Sequence, residues 1–237
     1  MDQIVFVSSF YQIFDKIEYG KAILERLGIL SKYLTINLVC SEKDKEAISG
    51  IPNIIPHFKE FEDFEMYRIL HTATRLPEHR NPEKDTKEYM ILMNMKSECI
   101  NLVKQNATQG QNDMHFVWLD AGITKIFSDP DKTLSEFTEK LKTTILPNDR
   151  IIIPGCWILQ TNLLILERSI CWRFCGGFVV IPSKLVESFY LHNLQACKFI
   201  RSFCDKVLWE VNVWAFMEPN LPIEWRKGDH NESILSI

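Results

Sequence analysis

The 237-residue chain has no stretch approaching the roughly 18 uninterrupted apolar residues that a membrane-spanning helix needs. Its opening, MDQIVFVSSFYQIFDK, has too short an apolar run for such a helix and no basic stretch ahead of it, which argues against a secretion signal. There is no CxxC pair and no zinc-type spacing of Cys and His. The seven cysteines (40, 99, 156, 171, 175, 197 and 204) are odd in number and sit mostly in apolar surroundings, so they read as reduced core thiols and favour a cytoplasmic location. Cys171 and Cys175 are near enough in sequence to pair, but two buried free thiols are the better reading. Positive charge is not in excess either. Twenty-seven Lys and Arg against 31 Asp and Glu leave −4, which gives no general affinity for nucleic acid while leaving local phosphate binding open. No internal repeat and no low-complexity tract is present.

What is there is a chain 46% hydrophobic and 24% charged with a mean hydropathy of −0.08, soluble and globular in character and read as one domain over residues 1–237. Ile4–Phe10, Thr35–Ser41, His115–Asp120, Ile151–Gly155 and Phe178–Pro182 are short apolar, β-branched or aromatic runs that read as buried strands. Tyr19–Leu30 carries apolar residues at helical spacing, so the opening reads strand, helix, strand. That alternation predicts an α/β fold with a largely parallel sheet covered by helices on both faces. Lys87–Asn106 is the clearest later helix, and Pro182-Ser183 supplies a stop and cap for another over Lys184–Arg201. Lys206–Met217 satisfies both the helical and the strand period. Phe58–Thr86, charged and punctuated by proline, suits an insertion at the rim of a site. Asp129 and Asp131, in SDPDK, read as a turn leading into a helix rather than a metal loop.

The run HFVWL stops abruptly at Asp120, and Ala121 and Gly122 follow with side chains small enough for a ligand to come close. Ligands of open α/β sheets bind beyond the carboxyl ends of strands. An acid there is a natural oxygen ligand for Mg²⁺ or Mn²⁺, which in turn binds diphosphate oxygens; the plainer alternative is an Asp that caps the next turn. In Lys87–Asn106 the apolar stripe runs Tyr89, Leu92, Cys99, Val103, and the step between 92 and 99 is Lys96. A lysine on an inward stripe must snorkel to water, meet a phosphate or pair with a carboxylate.

IVFVSSFYQI, YMILMNMKSE, WLDAG, CGGF at Cys175–Phe178 and WEVNVWA at Trp209–Ala215 stand in this order along the chain. With them the sequence resembles the HtrL/YibB-type family, which is grouped with glycosyltransferases of GT-A type. The resemblance spans most of the chain. It implies a GT-A-like, Rossmann-related fold with a mixed, mostly parallel sheet. It also implies a nucleotide-sugar donor bound by the N-terminal half (about 1–125) and a glycan or other hydroxyl acceptor on the C-terminal half (about 126–237). A divalent cation, Mn²⁺ or Mg²⁺, would assist. GT-A enzymes usually hold that metal through an Asp-x-Asp triplet, whereas this chain has Asp120-Ala121-Gly122. The missing second acid leaves two options: Asp120 with a distant ligand, for which His230 in GDHNES is the candidate, or cationic side chains in place of the metal.

Ser8, Ser9, Phe10 and Tyr11 close the first strand, where the resemblance places the nucleotide base and ribose; the alternative is turn chemistry and a buried ring. Gly176 and Gly177 let the backbone approach a sugar or simply make a tight turn, and Arg173 is a candidate phosphate or carboxylate contact. Glu210 is flanked by Trp209 and Val211. An ionisable group in an apolar segment is paired, perturbed or catalytic, and for an enzyme that inverts configuration Glu210 is the candidate base for the acceptor hydroxyl, inversion and retention both staying open. Two other functions stay in view. An aspartyl-type phosphohydrolase would want a second acid where Gly122 stands, and a non-catalytic nucleotide-sugar-binding protein would keep Lys96 and the N-terminal pocket without a competent base. A homodimer is compatible with the sequence, which carries no feature arguing for one.

Overall fold

Alternate side chains of the central strands point to opposite faces and divide the apolar residues between two cores. The structure, a computed structural model, describes residues 3–13, 17–107, 114–228 and 233–237. Its strands are β1 (Gln3–Phe10), β2 (Ile36–Cys40), β3 (Ile54–Phe58), β4 (Met114–Leu119), β5 (Ile151–Gly155), β6 (Phe178–Pro182) and β7 (Ile223–Lys227). The helices are α1 (Ile17–Ser31), α2 (Lys45–Ile48), α3 (Glu65–Leu70), α4 (Lys87–Asn94), α5 (Lys96–Asn106), α6 (Pro130–Thr143), α7 (Leu163–Leu166), α8 (Ser183–Cys204) and α9 (Glu210–Met217). On β4, Phe116 and Trp118 join a core with α5, α8 and α9, whereas Val117 and Leu119 join the core under α1 and α6. Each large side chain so buried contributes roughly 1.5–3 kcal/mol.

The strands form one sheet in the order β3-β2-β1-β4-β6-β5-β7. β1, β2, β3 and β4 run parallel; β6 is antiparallel to β4 and β5; and β5 and β7 are parallel. The chain runs outward from β1 through β2 and β3 and returns to β4 on the other side of β1. The carboxyl ends of β1 and β4 therefore flank the point where strand order reverses, and a crevice opens there.

The five expected strands form, within a residue at each end. β3 and β7 are additions, and both are sheet edges: β3 carries Pro56 and is mostly exposed, and β7 reads Ile-Glu-Trp-Arg-Lys, so neither offers a continuous apolar run. The single helix expected over Lys87–Asn106 is two. Asn94 donates its side-chain amide to Met90 O and Leu208 O, both at 2.8 Å, and this competition with the main-chain ladder interrupts the helix at Met95. Pro182 rather than Ser183 holds the N-cap position of α8. Lys206–Met217 resolves to a helix only from Glu210, because Lys206 bridges to Arg75 in extended form. Asp129 accepts from Lys132 N at 3.1 Å and caps α6, as its turn reading anticipated. In the irregular stretch after β3, buried Glu98 accepts from the Glu65 and Met66 amides, both at 3.0 Å, and fixes the start of α3. Among the described residues no helix is long and apolar enough to cross a membrane.

Candidate active site

Lys96 opens α5 with its side chain 1% exposed. Its ammonium lies 2.8 Å from Glu210 Oε1 and 2.9 Å from Asp120 Oδ1, and donates to Gly176 O at 2.9 Å. Of an ammonium's three N–H donors, Gly176 O and Glu210 Oε1 take two, and Asp120 completes the cluster as an ion pair. Of the readings left open by the sequence, the structure shows the carboxylate partners, and Lys96 itself does not line the cavity. Burial alone would push the Lys96 ammonium down, but the charges of Asp120 and Glu210 outweigh it and hold it above the ordinary lysine range.

The partners are placed by three different devices. Asp120 is carried past the end of β4, where its own N–H donates to Gly177 O at 3.0 Å and the Trp118 indole donates to Asp120 Oδ1 at 2.7 Å. Glu210 is the first residue of α9 and is 6% exposed. The CGGF turn closes over the pair. A Cβ on Gly176 would stand 2.2 Å from Glu210 Oε1, so only glycine lets its carbonyl reach Lys96.

Asp120 and Glu210 line a cavity at the carboxyl ends of β1 and β4, with Lys96 buried behind them. Ser9, Phe10, Tyr11, Asp120, Ala121, Gly122, Gly176, Gly177 and Glu210, all singled out from sequence, line it together. Tyr11 is fixed by the core: its hydroxyl donates to Lys59 O at 2.8 Å, its ring meets Phe61 and Phe64, and burial raises its phenol far above the ordinary range. Besides Lys96, two expected residues do not line the cavity. Ser8 is fully buried behind the wall. Arg173 is turned away: its guanidinium grips both oxygens of Glu218, at 2.6 and 2.9 Å, and stacks on Trp225 at 4.4 Å, so its charge is already answered. His230 lies outside the described residues.

Several lining residues were missed by sequence reasoning: Trp118, Tyr19, Tyr89, Trp172 and the cations Arg26, Lys84 and Lys125. Arg26 had a signal, because it stands three residues after Ile23 on the inward stripe of α1 that continues to Leu27 and Leu30, the same anomaly that exposed Lys96. Lys84, in the irregular stretch before α4, had none. Among the described residues, none of the three cations pairs with a carboxylate; Lys84 rests over the Tyr89 ring at 5.3 Å. Burial pushes the Lys125 ammonium below the ordinary lysine range, and nearby Lys84 pushes the same way.

For a divalent ion, the described residues offer Asp120 Oδ2. Oδ1 is committed to Lys96 and Trp118, and among the described residues no three His, Cys, Asp or Glu side chains converge as a metal site.

Residues 2–144, more than half of the chain, match the family described as bacterial protein of unknown function (HtrL_YibB). The chain belongs to this family. No curated protein matches it. Among solved structures, this HtrL_YibB member is similar to mouse xyloside xylosyltransferase 1 in its apo form, with a TM-score of 0.52, 11% identity, and coverage of 96% of this chain and 85% of that one. It is also similar to the galactosyltransferase LgtC in complex with donor and acceptor sugar analogues, with a TM-score of 0.47, 10% identity, and coverage of 93% and 72%. At such identity the likeness to the xylosyltransferase speaks to the fold alone. The HtrL_YibB chain shares its mixed, mostly parallel α/β fold with that xylosyltransferase, the GT-A-like architecture expected from the sequence.

Proposed function

We propose that the protein transfers a sugar from a nucleotide-sugar donor to an acceptor hydroxyl. The observation that carries this reading is one cavity at the strand-order reversal lined by two carboxylates, Asp120 and Glu210, together with three cations, Arg26, Lys84 and Lys125. The N-terminal half supplies most of the nucleotide side, with Ser9, Phe10 and Tyr11 at the end of β1. Gly176, Gly177 and Trp172 form the acceptor side.

In a single displacement the acceptor oxygen bonds to the anomeric carbon while the bond from that carbon to the phosphate oxygen breaks. The electron pair leaves with the nucleoside diphosphate. Glu210 takes the hydroxyl proton as attack proceeds. Lys96 is a positioning residue: it holds Asp120, Glu210 and the Gly176 carbonyl in one register. Asp120 Oδ2 and His230 are the side chains proposed to hold a divalent ion, which when bound would neutralise charge on the departing diphosphate.

Thermal unfolding with a panel of nucleoside diphosphates, followed by donor turnover in Glu210→Gln, tests the assignment. Stabilisation by UDP or GDP together with at least a hundredfold loss of acceptor-dependent turnover in the variant is expected, on the order of general-base contributions. Turnover by Glu210→Gln at the wild-type rate removes Glu210 from the base role, and indifference to every nucleotide removes the transferase.

A further inference from the structure

Arg26 comes from α1, Lys84 from the stretch before α4, and Lys125 from the turn after Asp120; three separate segments bring them to one cavity. In and directly beneath that cavity, four cations, counting Lys96, face two carboxylates, an excess of two positive charges in a chain whose net charge is −4. Convergent cations without a carboxylate partner repel one another, and the arrangement is relieved only by an anion of matching charge. Asp120 relieves it only in part: its charge favours the Lys125 ammonium, but Lys96 already sits 2.9 Å from its Oδ1. That ammonium occupies the side of the carboxylate facing Glu210, so a divalent ion at Asp120 would share the carboxylate with a fixed positive charge.

Resting on the donor assignment above, we propose that Arg26, Lys84 and Lys125 are the counter-charges that grip the donor's diphosphate, and that nucleotide binding does not require a divalent ion. Arg26 supplies a forked guanidinium suited to two phosphate oxygens at once. Lys84 and Lys125 supply compact charges that follow the group as it leaves. The site is charged before the ligand arrives, so its affinity falls with ionic strength.

Isothermal titration of the full-length protein with UDP, GDP and inorganic pyrophosphate, in excess EDTA and again with Mn²⁺, tests this, alongside Arg26→Gln, Lys84→Gln and Lys125→Gln variants whose unfolding midpoints confirm that they are folded. The expected result is nucleotide binding in EDTA comparable to that with Mn²⁺, weakened roughly tenfold or more in each variant, in keeping with the loss of a charged hydrogen bond. Nucleotide binding that appears only with Mn²⁺, or variants that bind like wild type in EDTA, overturns the proposal and leaves the transferase assignment standing. Pyrophosphate binding without nucleotide binding keeps the anion grip and removes the nucleotide donor. Silence toward all three ligands overturns both.

Discussion

Lys96 Nζ and Glu210 Oε1 lie 2.8 Å apart, buried, and 114 positions apart in the chain. Removing the ammonium leaves Glu210 charged in an apolar place beside Asp120. Lys96→Met is therefore expected to lose about 3–5 kcal/mol of stability, as broken buried pairs do. The double variant Lys96→Met/Glu210→Gln should recover part of it. Urea unfolding of both variants measures this, and a single variant as stable as wild type would show that the pair is not a structural tie.

The glycines of the site should separate cleanly. A Cβ at Gly176 would stand 2.2 Å from Glu210 Oε1 and 3.0 Å from Val211 Cγ1, whereas one at Gly122 would meet nothing within 4 Å. Gly176→Ala is expected to cost about 1–3 kcal/mol and to disturb the Lys96 carbonyl contact, and Gly122→Ala to stay within about 0.5 kcal/mol of wild type. Equal unfolding midpoints for the two variants would contradict the close packing of the CGGF turn.

Lys125 gives the site a pH signature. Burial first, and then Lys84, lower its ammonium below the ordinary lysine range, so folding disfavours its charged form. The ligand-free protein should gain stability from this group as pH rises through the window between the lowered value and the ordinary lysine value. Diphosphate binding needs the charged form, so affinity should fall over the same window. Titrating pyrophosphate across alkaline pH, with Lys125→Gln as the comparison, tests the direction. An affinity independent of pH in both proteins would take Lys125 out of the anion site.

Arg173 is bound to Glu218 and stacked on Trp225, away from the cavity. Arg173→Ala should destabilise the fold by about 1–3 kcal/mol, because Glu218 loses both charged hydrogen bonds, and should leave nucleotide affinity unchanged. Weaker nucleotide binding at full stability would restore the phosphate contact its sequence position had suggested.

The inner strands were legible because each is a continuous apolar run. β3 and β7 were not, because an edge strand can carry Pro56 or Glu224 and Arg226 without cost. Asp120 and Lys96 were legible for a common reason: each is a charge where the local pattern calls for an apolar residue or an end. What the pattern could not say is which charge answers Lys96. That depends on α9 and the CGGF turn arriving from far along the chain. Arg173 shows the reverse error, since a cation next to a glycine pair invites a ligand reading until Glu218 is seen beside it. Lys84 was hidden because an exposed lysine in an irregular stretch is ordinary, and only the cavity makes it otherwise.

The long separation between Lys96 and Glu210 also sets a timetable. During synthesis α5 and β4 emerge well before α9, and an ammonium that will end fully enclosed has only half of its carboxylate partners until residue 210 is made. A nascent chain ending near residue 144, the limit of the family match, holds β1 and β4 but neither Gly176 nor Glu210, so it could not seal Lys96. The wall that joins Asp120 and Glu210 through Lys96 can thus form only after residue 210 has been made.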